Sequence, residues 1–217
     1  MDRIEISRQT LQRLPYYLNY LKKACKAGVE TVSAPKIAKE MGLNEVQVRK
    51  DLAAVSTNGG KPKVGFCVGE LIEVIENCLG YNNKTDAVLV GAGNLGRALL
   101  SYDDLDEYGV SIVAAFDCDK DMWGTEINGK HVFSLDKLGD LCDRLHVSIG
   151  IITVPGNAAQ EVCDLMVQSG ILAIWNFAPV RLSVPGHILV QNENMAASLA
   201  MLSKHLQSRT QGKGEEA

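Results

Sequence analysis

Three glycines with phosphate-binding spacing follow an apolar run near the middle of the chain. Gly91, Gly93 and Gly96 stand in the segment GAGNLG, directly after the apolar residues 87–90. In a dinucleotide-binding turn the first glycine allows the tight turn, the second lets the backbone approach the pyrophosphate, and the third lets helix and strand pack closely. A helix that opens here also offers free backbone N–H groups to phosphates. The predicted site includes the residues between the glycines, Ala92, Asn94 and Leu95.

Asp117 closes the next apolar run, residues 110–117. A carboxylate at this position accepts hydrogen bonds from the adenosine ribose hydroxyls and repels the additional phosphate of NADP, so NADH and NAD⁺ are the favoured ligands. An ordinary turn residue after a strand is the alternative, and the coincidence with the glycines speaks against it. Thr153 and Pro155 end a later apolar run, and we expect them to line the nicotinamide side of the same pocket.

The residues after 85 alternate between apolar runs and helical stretches, which predicts an α/β fold with a doubly wound parallel sheet of the Rossmann type. A continuous apolar run is typical of a parallel strand that is buried on both faces. The predicted helices cover 136–145 and 157–169, and another helix at 69–80 joins this part to the residues before it. The predicted strands are 87–91, 110–117, 131–135, 147–155, 172–179 and 187–192.

The first 63 residues differ from the rest of the chain in charge. They hold 12 Lys and Arg against 6 Asp and Glu, the remainder holds 10 against 20, and the whole chain has a net charge of −4. A basic front on an acidic body indicates two domains with different partners, the front facing a polyanion. A solvated basic surface explains the charge alone equally well. We place the domains at 1–80, 81–192 and 193–217, the last being a C-terminal helix and tail.

The first helix of the basic front is predicted from an apolar stripe at helical spacing. Pro15 interrupts the stripe, so the helix either begins near this residue or is kinked there. Gly28 ends the helix. The stripe consists of Leu11, Leu14, Leu18, Leu21 and Cys25.

Two more short helices follow, with a glycine turn between them. We expect Ser33 to cap the first of these and Gly42 to close it. We expect Asn44 to cap the other, which runs to about Val55. Three short helices with a tight turn before the last form the layout of a helix-turn-helix unit.

The last of these helices has the composition of a major-groove reader. Val48, Leu52 and Val55 recur at i, i+4 and i+7 and are expected to face the core. The opposite face combines cations, an amide and small or methyl-bearing side chains, which suits base edges and thymine methyl groups. Asn44 joins this face in the predicted DNA-contacting set. The face consists of Val46, Gln47, Arg49, Lys50, Ala53 and Ala54.

The segment STNGGKPKVGF, residues 56–66, places Lys61 and Lys63 among glycines. Two lysines at the tip of a hairpin suit a wing that lies along the phosphates. A flexible linker between domains is the alternative, and the neighbouring helix-turn-helix pattern favours the wing. The front is therefore predicted to be a winged-helix domain that binds double-stranded DNA.

Little in the composition indicates an enzyme, a metalloprotein or a membrane protein. The predicted sheet occupies most of the second half and leaves no substrate domain, and His187 and His205 are better explained as surface or satisfied histidines than as acid–base groups. Six scattered cysteines without a C-x-x-C pair indicate reduced thiols in a cytoplasmic protein, with no metal site. No apolar run approaches the roughly 20 residues of a membrane helix. An NAD-dependent oxidoreductase and a module for CoA or another nucleotide are the alternatives.

Six segments together resemble the Rex family of redox-sensing transcriptional repressors, from Arg13 to Leu202. They are RLPYYLNYL, QVRKDLA, VLVGAGNLGRALLSY, AAFD, ITVP and NFAPVRLSVPGHILVQN, in this order. The resemblance implies a homodimer with an N-terminal winged helix and a C-terminal Rossmann domain for NADH and NAD⁺. It also implies a last helix that swaps onto the partner subunit, and a repressor that binds operator DNA when NADH is scarce and leaves it when NADH binds.

The resemblance further implies roles for single residues. Tyr102 would lie near the nicotinamide, Arg13 at the domain interface, and the glycine turn with Asp117 would hold the adenosine and phosphates. Many relatives carry ENVDLAA where this chain has QNENMAA, so Asn194 replaces the acidic residue of the redox switch. Because an amide bonds both switch partners without charge, we expect a retained switch with altered discrimination between NADH and NAD⁺. Many relatives also carry YFGEFG where this chain has AAVSTNGG, which predicts a changed operator preference.

The expected mechanism is a population shift between two dimer geometries. In one geometry the two recognition helices are roughly 34–36 Å apart, as successive major grooves require, and in the other they are not. NADH must bind the second geometry more tightly, because a ligand with equal affinity for both shifts nothing. The swapped surface would be the apolar face of the last helix, and a core helix of its own subunit is the alternative. That face consists of Met195, Leu199, Leu202 and Leu206.

Overall fold

The chain forms two compact units, Met1–Asn83 and Lys84–Ala217. The computed structural model describes residues 6–56 and 65–211. Each unit has its own buried apolar core. Within the described residues, no helix has the length and apolar character needed to cross a membrane.

The described residues of the first unit form four helices and a two-stranded antiparallel sheet. The predicted caps of its short helices are confirmed: Ser33 accepts a hydrogen bond from the backbone N–H of Lys36, Gly42 adopts a left-handed conformation, and Asn44 accepts from the N–H groups of Val46 and Gln47. The elements are α1 (Arg8–Lys26), β1 (Thr31–Val32), α2 (Ala34–Met41), α3 (Glu45–Val55), β2 (Phe66–Cys67) and α4 (Val68–Leu79).

The apolar stripe of α1 is shorter than the sequence predicted. Leu14, Leu18 and Leu21 are buried, but Leu11 is 37% exposed and Cys25 is exposed, so the prediction was wrong at both ends. Pro15 lies inside α1, seven residues after its start, and does not begin it. Tyr17, which was not part of the predicted stripe, is among the largest fully buried side chains of the protein.

The two-residue strands β1 and β2 pair with each other, so that Val32 lies opposite Phe66. Sequence reasoning missed this pair because two residues are too few to show an alternating pattern. The pairing brings the end of the predicted wing segment back to the helices. The tip itself, with Lys61 and Lys63, lies outside the described residues.

The second unit contains a seven-stranded sheet in the order β5-β6-β4-β3-β7-β8-β9. Apart from β5 this is the strand order of a Rossmann fold, and the predicted α/β fold is confirmed. The last three strands are shorter than predicted, the first three that were predicted have about the predicted length, and β5 was not predicted at all. The strands are β3 (Thr85–Val90), β4 (Val110–Asp117), β5 (Glu126–Ile127), β6 (Lys130–Ser134), β7 (Ile149–Ile152), β8 (Ala173–Asn176) and β9 (Leu189–Asn192).

Helices cover both faces of the central strands. Alternate residues of β3 face opposite sides: Val88 and Val90 pack in one apolar cluster, and Ala87 and Leu89 pack in another. The first cluster includes residues of α6 (Leu138–Leu145) and α7 (Gly156–Gln168), and the second includes Leu100 of α5 (Asn94–Leu100). All strand pairs of this seven-stranded sheet are parallel except β5 with β6, which form an antiparallel edge.

The last helix, α8 (Met195–Gln211), presents its described side chains to solvent. Leu199 is 67% exposed, and Leu202 and Leu206 are exposed to a similar extent. The alternative of a core helix packed within its own subunit is therefore not observed. The swap onto a partner subunit stays a prediction.

Candidate dinucleotide site and nucleic-acid interface

The three glycines of the turn after β3 face three different surroundings. Gly91 has a φ of +105°, and a Cβ there would lie 2.8 Å from the carbonyl carbon of Thr153. A Cβ on Gly96 would collide with the carbonyl oxygen of Gly91, so helix α5 can approach the turn only with glycine at this place. A Cβ on Gly93 would meet nothing within 4 Å. The turn is thus closed at Gly91 and Gly96 and open toward solvent at Gly93, where a ligand phosphate has room.

Asp117 and Thr153 brace this turn from the two neighbouring strands. The carboxylate of Asp117 accepts hydrogen bonds from the backbone N–H of Ala92 at 2.7 Å and of Asp119 at 2.9 Å. The hydroxyl of Thr153 lies 2.7 Å from the carbonyl oxygen of Gly91 and can donate to it. Strands β4 and β7 lie on either side of β3, so the turn sits at the point where the strand order reverses, where ligands bind in open α/β sheets.

A cavity of about 490 Å³ opens beside the turn. Five predicted site residues line it: Gly91, Gly93, Asp117, Thr153 and Pro155. The structure adds residues that sequence reasoning missed, most of them apolar and from the first three turns of α7 and the ends of strands. These are Val90, Cys118, Leu135, Val154, Ala158, Glu161, Val162 and Leu165.

Other predicted site residues lie outside this lining. Ala92 and Gly96 are buried under the turn, where they shape it without reaching the cavity. Tyr102 is 49% exposed and precedes a short 3₁₀ helix, Asp103–Tyr108. The residues of the predicted set that do not line the cavity are Ala92, Asn94, Leu95, Gly96 and Tyr102. Their contact with a dinucleotide stays a prediction.

Asn194 begins helix α8 as its cap. Its side-chain oxygen accepts a hydrogen bond from the backbone N–H of Ala197 at 2.8 Å, and its carbonyl oxygen accepts one from the N–H of Ser198. Aspartate caps helices as well as asparagine does. A change of charge at residue 194 can therefore leave the start of α8 intact.

Helix α3 exposes the face that was predicted to contact DNA. Val46 is 61% exposed, and Gln47, Arg49 and Lys50 are also exposed. Arg49 forms an ion pair with Glu45 one turn earlier in the helix. The predicted core face is confirmed, since Val48, Leu52 and Val55 are buried.

A buried carboxylate on α3, which sequence reasoning missed, ties this helix to α1. Asp51 is 1% exposed. It accepts two hydrogen bonds from Arg13, at 2.7 and 2.9 Å, and one from the Tyr17 hydroxyl at 2.8 Å. Thr10 and Gln47 each donate one more at 3.0 Å. Arg13, predicted to act at the domain interface, is thus engaged inside the first unit, and that interface role stays a prediction.

These contacts decide the ionisation of the Asp51 network. Burial alone would raise the pKa of Asp51, but the hydrogen bonds from Arg13, Tyr17, Gln47 and Thr10 outweigh it and hold that pKa below its usual value. Burial, followed by the hydrogen bond to Asp51, raises the pKa of Tyr17 to about 12. At neutral pH the network therefore contains an ionised carboxylate, a charged guanidinium and a neutral phenol.

The part of the chain that the structure describes brings together no group of three or more His, Cys, Asp or Glu side chains suited to a metal ion.

Comparison with known proteins matches one family model to each of the two units. A family model described as a putative DNA-binding protein N-terminus matches residues 5–53, and one described as a CoA binding domain matches residues 82–180. The redox-sensing transcriptional repressor Rex of Porphyromonas gingivalis is 41% identical over 204 residues, which cover 94% of this chain and 93% of that protein. The Rex protein of Treponema denticola is 42% identical over 193 residues, covering 89% and 91%.

The chain belongs to the Rex family. Solved structures agree: RSP, a Rex-family repressor, superimposes with a TM-score of 0.85 at 30% identity, covering 98% of this chain and 99% of RSP. RSP in complex with β-NAD⁺ and operator DNA gives a TM-score of 0.87, and RSP in complex with β-NADH gives 0.84, both at 31% identity and with the same coverage. The resemblance to the Rex family read from the sequence is confirmed.

Gly96→Ala should destabilise this Rex-family chain by about 2 kcal/mol, because the new methyl group collides with the carbonyl oxygen of Gly91, a backbone atom that cannot move away as a flexible side chain could. Gly93→Ala is the matched control: it introduces the same methyl group into open space and should cost under about 1 kcal/mol as a poorer helix cap. Urea unfolding followed by circular dichroism measures both. Equal costs for the two variants would contradict the packing role of Gly96.

Asp51→Asn should lower the free energy of unfolding of the first unit by about 2 kcal/mol or more at pH 7, because Arg13 and Tyr17 lose a charged acceptor. Since the folded pKa of Asp51 is depressed, its contribution is present above the unfolded value near 4 and is lost as the pH falls through the folded value. The difference in free energy of unfolding between wild type and the variant should therefore shrink at low pH.

Glu45→Gln is the control for this measurement. It removes the same charge from the same helix, but from the exposed pair with Arg49, and should cost about 0.5 kcal/mol or less. Urea unfolding at pH 7 and pH 3 compares the two variants. A deficit of Asp51→Asn that does not change with pH would contradict the ionised network.

Proposed function

We propose that this protein is a transcriptional repressor that binds operator DNA and is released from it when the NADH/NAD⁺ ratio rises. The observation that carries the proposal is the combination, in one chain, of the turn open at Gly93 and the exposed helix α3. RSP, whose structure superimposes on 98% of this chain, has been solved with β-NAD⁺ and operator DNA and with β-NADH. Such a repressor works where bacterial DNA lies, in the cytoplasm.

The turn after β3 suits a dinucleotide. The open space at Gly93 accepts the pyrophosphate beside backbone N–H groups, and Asp117 at the end of β4 is placed for the adenosine ribose. The apolar walls of the cavity suit flat aromatic rings. The dinucleotide supplies the redox signal, since its nicotinamide is positively charged in NAD⁺ and neutral in NADH. Thr153 and Pro155 would line the nicotinamide side, and Tyr102 would lie near it.

Helix α3 is proposed to enter the major groove. Its N-terminal residues are those that contact base edges in helix-turn-helix proteins. Asn44, Val46, Gln47, Arg49 and Lys50 would make these contacts, and Lys61 and Lys63 would contact phosphates from the wing. An inverted-repeat operator fits two such helices in a homodimer.

The proposed homodimer uses the apolar face of α8. Five large apolar side chains of this helix are exposed, the four of the predicted face and Met201, and burying the face against a partner subunit removes apolar surface from water. NADH would act by binding more tightly to the dimer geometry in which the two α3 helices no longer fit successive major grooves. Arg13, Tyr102 and Asn194 would belong to the switch between the two geometries.

We propose further that the protein is not an enzyme. The family members it resembles are named as repressors, and the cavity lining places the carboxylates Asp117 and Glu161 and the thiol of Cys118 among mainly apolar residues. An NAD-dependent oxidoreductase would turn over a carbonyl or alcohol substrate, and a CoA-binding module would release NADH in competition with CoA. Neither reaction nor competition is expected.

The decisive experiment titrates NADH and then NAD⁺ into a complex of the protein with a fluorescently labelled inverted-repeat duplex, at one stated salt concentration. The duplex is first selected with this protein from a randomised pool. Release of the duplex, read as a fall in anisotropy, should occur with NADH at concentrations where NAD⁺ has little effect. Binding that ignores both cofactors would refute the sensor, and the absence of any specific binding would refute the repressor.

Gly93→Ala provides the control for the cofactor site. Because the added methyl group fills the space proposed for the pyrophosphate while meeting no protein atom, the variant should keep duplex binding and lose at least tenfold in its response to NADH. The same anisotropy titration measures both properties. An unchanged NADH response would place the dinucleotide elsewhere.

Asn194→Asp should change the ratio of NADH to NAD⁺ concentrations needed for half release, because it adds a charge at a proposed switch position. The start of α8 should remain intact, since aspartate can accept the same hydrogen bond from Ala197. Parallel titrations of wild type and variant measure the ratio. Identical responses to both cofactors would refute a switch role for Asn194.

A further inference from the structure

The side chain of Gln47 is both exposed and fixed. It is the third residue of α3, on the face proposed to read DNA, and its Nε2 atom donates a 3.0 Å hydrogen bond to Oδ1 of Asp51 one turn later. Asp51 in turn is held from α1 by Arg13 and Tyr17. The amide is therefore anchored to the core of the first unit, whereas a long polar side chain on a helix surface ordinarily samples several rotamers.

The chemistry of Asp51 decides which end of the amide faces inward. An ionised carboxylate only accepts hydrogen bonds, and Asp51 is surrounded by donors from four side chains. The NH₂ group of Gln47 must therefore face Asp51, and the reversed amide would set oxygen against oxygen. One N–H is used by Asp51, which leaves the second N–H and the carbonyl oxygen for another partner.

A donor and an acceptor side by side on one amide match a single base edge in the major groove. Adenine presents N6–H as donor and N7 as acceptor, which a glutamine pairs with in bidentate fashion, whereas guanine presents two acceptors there. We propose that Asp51 is a positioning residue that fixes the amide of Gln47 to read an adenine of the operator half-site. The inference rests on the proposed function, since it requires α3 to lie in the major groove.

Arg13 allows the buried carboxylate of Asp51 to lie beneath a face that is proposed to read DNA. A carboxylate beneath a DNA-reading face would repel phosphates, but the guanidinium, bonded to both of its oxygens, offsets the charge. Arg13 and Tyr17 also come from a different helix, so Gln47 is held relative to α1 as well as along α3. The side chain thus loses less freedom on binding DNA than one that is ordered only in the complex.

The first test uses the selected duplex and every single base-pair change in one half-site, with affinities from anisotropy. Wild type should prefer adenine at one position by about 5- to 150-fold, and Gln47→Ala should reduce that preference below about twofold. Replacing that adenine with 7-deazaadenine, which lacks the N7 acceptor, or with purine, which lacks the 6-amino group, should each weaken wild-type binding and leave Gln47→Ala unaffected. Specific binding without an adenine-dependent position would overturn the inference while the repressor function stands.

The second test separates positioning from general stability. Asp51→Asn replaces the acceptor-only group with one that also donates, so it no longer dictates the amide orientation, and the adenine preference should fall at least threefold. Tyr17→Phe removes another donor to the same carboxylate without touching Gln47 and should keep the preference. In a Gln47→Ala background, Asp51→Asn should have no further effect on base preference. An equal loss in Tyr17→Phe would assign the effect to packing and overturn the inference.

A third measurement leaves Asp51 unchanged and so does not depend on the folding of a variant. ¹⁵N relaxation of side-chain NH₂ groups in the free wild-type protein should give Gln47 an order parameter well above about 0.6, the range of ordered groups, and exposed Gln12 of α1 a lower one. An equally mobile amide at both residues would overturn the inference. No specific duplex binding in the first test would instead refute the proposed function.

Discussion

The carboxylate of Asp51 is the constraint on which the first unit depends. It lies on α3 but takes most of its hydrogen bonds from α1, so it fixes two helices through partners that are 34 to 41 residues away in the chain. Apolar contacts place α3 against the core without setting its rotation to the accuracy of a hydrogen bond. The network adds that accuracy, because a buried charge tolerates no arrangement that leaves it without donors. The same residue that fixes the helix also fixes the side chain at its surface.

The burial of Asp51 could be predicted from the sequence, but its hydrogen-bond partners could not. Asp51 lies three residues after Val48 and four before Val55, so a helical wheel already puts a carboxylate on the buried face. A buried carboxylate requires partners, but nothing near it in the sequence identifies Arg13 or Tyr17. The caps at Ser33, Gly42 and Asn44 were predicted correctly because each depends on residues within one turn of helix. The partners of Asp51 and the walls of the cavity depend on contacts between distant segments.

The sheet shows the same division between local and distant information. Its long apolar strands and its glycine turn were predicted, whereas β5 was missed although the dipeptide Asn128–Gly129, both at positive φ, is a strong hairpin signal. Strand β5 has two residues, which are too few to show the alternation of apolar and polar residues that marks a strand. The apolar residues that α7 contributes to the cavity show no distinct pattern, since a core-facing helix and a ligand-facing helix look alike in sequence until the neighbouring strands are placed.

The ion pair between Arg49 and Glu45 has a consequence for how the protein responds to salt. Proteins that bind DNA gain affinity by releasing the cations condensed on the phosphates, and the dependence on salt grows with the number of phosphates that are neutralised. An arginine that already has a carboxylate partner exchanges one anion for another when it meets a phosphate, and the carboxylate then needs a cation of its own. If α3 lies against DNA as proposed, its pair of Arg49 with Glu45 would reduce the number of counterions that it releases, and would shift its contribution from general attraction toward the choice among base sequences.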